Sequence, residues 1–67
     1  MKKVSKDEFY KFIGNKDACY YIISDKYPYS GVFKLRGSNT VIAKIVENYT
    51  DNVLNRYPIV TEYFINN

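Results

Sequence analysis

Sixty-seven residues leave room for one core, worth roughly 3–5 kcal/mol, and no second domain; 46% hydrophobic and 25% charged residues mark a chain that folds. A net charge of +3 permits a nucleic-acid partner without demanding one. With no histidine and a single cysteine, Cys19, the chain has no Ser-His-Asp or Cys-His site, no internal disulfide and no paired-cysteine zinc site.

The opening "MKKVSKDEFY" begins with lysines, as a leader peptide would, but turns polar and acidic instead of apolar. No window reaches the roughly 18 apolar residues of a membrane span, so the expectation is a cytoplasmic protein with no membrane partner and a reduced thiol. Ser5 and Glu8 form a capping box, and Val4 with Phe9 a hydrophobic staple. They predict a helix over about residues 6–13, with Phe9, Phe12 and Ile13 on one face and Gly14 ending it in the left-handed conformation.

"ACYYIIS" is rich in aromatic and β-branched residues and predicts a strand over about 18–24. "GVFKLRG" alternates and predicts a second over about 31–36, with Phe33 and Leu35 on one face and Val32, Lys34 and Arg36 on the other. The six residues between, "DKYPYS", are too many for a two-residue turn and predict a protruding loop.

From residue 40 the spacing of Val41, Ile42, Ile45, Val46, Tyr49 and Val53 suits one stripe of a long helix, about 40–56, capped by Ser38 or Asn39 and ended by Pro58. "IVTEYFI" predicts a last strand over 59–65, with Ile59, Thr61, Tyr63 and Ile65 on one face and Val60, Glu62 and Phe64 on the other. The expected fold is a single α+β domain in the order α-β-β-α-β. Its three-stranded, largely antiparallel sheet, of order 2-1-3, carries both helices on one face.

No catalytic residue, cofactor or metal ligand is assigned. The seven carboxylates are scattered over helix faces, loops and one strand, and a cleft to pair two of them is hard to build at this size. Cys19, between Ala18 and Tyr20, reads as a small hydrophobe, since no cation or helix start is placed beside it to activate a thiol. In "RGSNT", a helix N-terminus next to Lys34, Arg36 and Ser38 is a candidate anion or nucleic-acid contact. Ordinary capping by Ser38 and Asn39 accounts for the same residues and is preferred.

Four tyrosines fall within "YYIISDKYPYSG", residues 20–31. Tyr20 and Tyr21 are strand neighbours and point to opposite faces. Tyr27 and Tyr29 flank Pro28 among polar residues and, with Lys26, are the candidate protein-binding residues, because tyrosine offers a large, rigid contact at low entropy cost. Phe, Tyr, Met, Ile, Asn and Lys supply 35 of the 67 residues, against nine from Gly, Ala, Arg and Pro, which points to an AT-rich genome such as that of a phage or mobile element. The expected function is therefore a small non-enzymatic accessory protein that binds and inhibits a host or defence protein. The alternative is a nucleic-acid-binding module on a basic, aromatic sheet face, and a homodimer is a further way to cover that surface.

Overall fold

The computed structural model describes residues 1–26, 28–49 and 59–66. Their order is β1 (Lys2–Val4), α1 (Lys6–Ile13), β2 (Ala18–Ser24), β3 (Tyr29–Leu35), β4 (Val41–Tyr49) and β5 (Ile59–Ile65). The five strands form one sheet, β1-β5-β4-β3-β2, in which every pairing is antiparallel. The expectations placed on Tyr27 and on residues 50–58, Pro58 included, lie outside the described residues.

The helix forms for the reason the sequence supplies. Ser5 is the N-cap; its Oγ accepts from the Glu8 N–H at 3.2 Å, and its carbonyl accepts from Phe9 N–H at 2.9 Å. Asp7 and Glu8 in the first turn and Lys11 in the last complement the helix dipole. Gly14 corrects one expectation: it stays right-handed (φ −59°, ψ −21°), and its N–H donates to the Tyr10 carbonyl at 2.9 Å, so the turn runs on.

Phe9 is completely buried and anchors the helix to the sheet. Its ring lies 5.7 Å from that of Phe33 and 5.1 Å from that of Tyr63, and it shares a core with Ile42, Ala43 and Ile65. Val4, Phe12, Ile13, Ala18, Leu35 and Ile45 pack around that cluster. The strand register sets the helix-side face in two rows, Lys2–Ile65–Ala43–Phe33–Tyr20 and Val4–Tyr63–Ile45–Gly31–Ile22. A row on the opposite, open face runs Lys3–Phe64–Lys44–Val32–Tyr21.

The three-stranded sheet with two helices is overturned: the described residues form one helix and five antiparallel strands. Residues 41–49, expected as the first half of the long helix, are a central strand. Four of those nine, Val41, Ile42, Ile45 and Val46, are β-branched, which favours the pleated surface over the helix. Val46 places an apolar residue on the open face, and a bulge between Phe33–Ala43 and Lys34–Val41 adds Ile42 as an extra residue. The doubled apolar pairs that imitate a helical stripe come from these two causes. The bulge turns Ile42 into the core beside Ala43, and the Ile42 carbonyl accepts from Asn66 N–H at 2.8 Å.

β5 therefore returns between β1 and β4 instead of beside the first hairpin, and β2 is left at the edge. The expected protruding loop is shorter than six residues, since Tyr29 and Ser30 already belong to β3. The expected boundaries of α1, β2 and β5 agree with those found.

Candidate binding surfaces of the sheet

α1 is short and covers only part of its face. Beyond it lies an open groove of about 320 Å³, lined by Tyr20, Ile22, Tyr29 and Ile45 together with Asp25 and Glu47. β3 and β4 bring Tyr29 and Glu47 directly opposite each other, and β2 and β4 set Ile22 and Ile45 on either side of Gly31. The Tyr20 ring lies across Gly31 and 5.1 Å from the Phe33 ring, where only a residue without a Cβ leaves it room. A lining that joins aromatic and aliphatic side chains to two carboxylates suits an apolar side chain that has a cation beside it.

The predicted residues are only partly gathered here. Tyr29 lines the groove as the first residue of β3, and Tyr27 lies outside the described residues. Lys26 is exposed in the connection that follows β2; its N–H donates to Ser24 Oγ at 3.3 Å, and that hydroxyl donates to the Lys26 carbonyl at 2.9 Å. The sequence assigns Tyr20, Ile22, Ile45 and Glu47 no protein-binding role, the last two because their spacing predicts a helix. The signal that was available is Gly31, a glycine inside an alternating strand, which marks a close approach from above.

Lys34, Arg36 and Ser38 flank a hairpin turn, and the helix whose N-terminus would have helped them hold an anion does not form. Gly37 takes φ +74°, Ser38 N–H donates to the Leu35 carbonyl at 3.0 Å, and Ser38 Oγ donates to Thr40 Oγ1 at 2.9 Å. Arg36 Nε donates to Asp17 Oδ1 at 2.8 Å. That hydrogen bond and the carboxylate charge push the guanidinium further above its ordinary value, so it stays charged at every working pH. The two partners are exposed, so the pair fixes the turn against β2 more than it stabilises the fold.

On the open face Lys34 Nζ sits 5.1 Å from the centroid of the Tyr21 ring. Glu62, on the same face, meets Lys3 Nζ at 3.2 Å and accepts from Asn48 Nδ2 at 3.0 Å. Cys19 is half-buried on this face, opposite Lys34. Among the described residues no helix is long and apolar enough to cross a membrane, and no group of three or more Cys, Asp or Glu is placed to hold a metal. Comparison of the chain with protein-family models, with curated proteins and with solved structures found no match.

Proposed function

We propose that the chain is a small non-enzymatic binding protein that docks through the groove beside α1 onto a partner protein, inserting an apolar side chain of that partner next to one of its basic residues. The observation that carries this reading is the groove itself: aromatic and aliphatic walls from three strands, with Asp25 and Glu47 in the same lining. The AT-rich residue usage supports a phage or mobile-element accessory factor, and its partner is then a host or defence protein whose activity is blocked by occupancy.

The test is capture from the lysate of a low-GC bacterium, purification of each captured protein, and calorimetric titration. Tyr29→Ala with Glu47→Lys is expected to weaken the purified complex at least tenfold while leaving the circular dichroism unchanged. Equal affinity for the folded double variant refutes the groove.

A second reading is favoured by one observation, the open-face row of Lys3, Phe64, Lys44 and Tyr21 with Lys34 above the last ring. Such a platform stacks unpaired bases and neutralises phosphates. A short thymidine oligonucleotide, titrated at low and at physiological salt with NMR detection, separates the two. Salt-sensitive shifts at Lys34, Lys44 and Phe64 favour the open face, because release of counterions makes phosphate binding fall steeply with salt.

A further inference from the structure

Six of the seven carboxylates fall within the described residues, and four of those have a structural task. Asp7 and Glu8 sit in the first turn of α1, Asp17 pairs with Arg36, and Glu62 pairs with Lys3. Asp25 and Glu47 are the two that remain, and among the described residues neither has an ion-pair partner. Both line the groove beside α1, and no lysine or arginine lines it, although the chain carries ten basic residues against seven acidic ones. The groove therefore holds charge of one sign, opposite to that of the chain as a whole.

The strands also give the groove a direction. At one end the Tyr20 ring meets that of Phe33; in the next row Ile22 and Ile45 flank Gly31. One row further on, Glu47 lies opposite Tyr29, and Asp25 follows the last residue of β2, so both carboxylates belong to the hairpin end. Successive rows on one face are two residues, or about 7 Å, apart. A fitting occupant is apolar toward Phe33 and cationic toward the hairpin, with about that distance between its two parts. Tyr20 and Tyr29 are 49 and 43% exposed, which leaves ring surface for it to cover.

We propose that the cationic part of the occupant is an arginine side chain of the partner protein, held by Asp25, Glu47 and the tyrosine rings, with an apolar side chain two residues away over Ile22 and Ile45. This rests on the docking through the groove argued above and names what is docked. A guanidinium is planar, weakly hydrated and stacks on aromatic faces, and its fork of five donors can serve two separate carboxylates. The lysine ammonium is a compact, strongly hydrated charge that gains less from a phenol ring. The methylene stem of the arginine lies along the aliphatic lining while its head reaches the acidic end.

NMR titration of the isotopically labelled protein with the blocked peptide acetyl-Leu-Gly-Arg-amide is the test. The peptide is expected to move the resonances of Ile22, Tyr29, Ile45 and Glu47, with a dissociation constant on the order of 1 mM. The citrulline peptide, of the same shape without the charge, should bind at least tenfold more weakly, and the lysine peptide about threefold more weakly. Asp25→Asn with Glu47→Gln should lower the affinity for the arginine peptide to that for citrulline. No shifts at the groove up to about 20 mM peptide, or equal binding of the citrulline or lysine peptide by the wild type, overturns the proposal, and neither result depends on a variant. Equal binding of the arginine peptide by the folded double variant overturns it as well. The two readings fail differently: a captured partner that is lost on Tyr29→Ala with Glu47→Lys but kept on Asp25→Asn with Glu47→Gln leaves the groove standing and removes the arginine.

Discussion

Gly31 and Tyr20 make a coupled pair whose energy can be worked out before it is measured. A methyl group at position 31 would run into Oη, Cζ and Cε1 of Tyr20, so in Gly31→Ala the ring must swing off the sheet. Since these atoms are the far end of a half-exposed side chain, the swing is feasible and the cost is chiefly the lost contact with Phe33, about 0.5–1.5 kcal/mol for an aromatic pair. Removing a glycine from a strand returns about 0.5–1 kcal/mol, so the single change nearly cancels. With Tyr20→Ala already in place there is no ring to displace, and Gly31→Ala should stabilise by that same about 0.5–1 kcal/mol. The interaction energy of the cycle is then about 1 kcal/mol, which in a domain of this size moves the melting temperature by roughly 4–8 °C. Thermal unfolding of the four proteins, followed by far-ultraviolet circular dichroism, reads it directly. Equal shifts from Gly31→Ala in both backgrounds would show that the ring does not rest on Gly31 in solution.

Two further outcomes test the core and the cap. Phe9→Ala removes the most buried aromatic ring at a cost of about 3–5 kcal/mol, the whole stability expected of a chain this small, so it should be unfolded at 25 °C by circular dichroism while Phe9→Leu, at about 1 kcal/mol, stays folded. Ser5→Ala should lower stability by about 1 kcal/mol in urea titration, and Ser5→Asp should restore it, because either side-chain oxygen can accept from Glu8 N–H.

Where local signals decide the structure, the sequence was readable. The capping box located α1 to the residue, and the aromatic, β-branched run located β2, because both are properties of neighbours along the chain. β1 is three residues, two of them lysines, and it is a strand only because β5 pairs with it; nothing local says so. β4 misled for a physical reason: Val46 is apolar on the open face, and the extra residue at Ile42 breaks the period of two that would have identified the strand. The groove inherits this difficulty. Its aromatic side, Tyr20 and Tyr29, was visible as a local excess of tyrosine, whereas Ile45 and Glu47 reach it only through the pairing of β4 with β3, which a helical reading of residues 41–49 hides.

The pairing of β1 with β5 also orders events in time. Lys2 lies opposite Ile65 and Val4 opposite Tyr63, and Phe9 rests on Tyr63 and Ile65, so the first two of these six elements to be made are held by the one made last. A nascent chain can form the β2–β3 hairpin as it emerges, but α1 finds its apolar bed complete, with Tyr63 and Ile65 beside Phe33, Ile42 and Ala43, only when β5 arrives. Contacts this far apart in sequence slow folding to the millisecond-to-second range typical of non-local β architectures. The helix with the strongest local signal is thus the part whose place in the structure is secured latest.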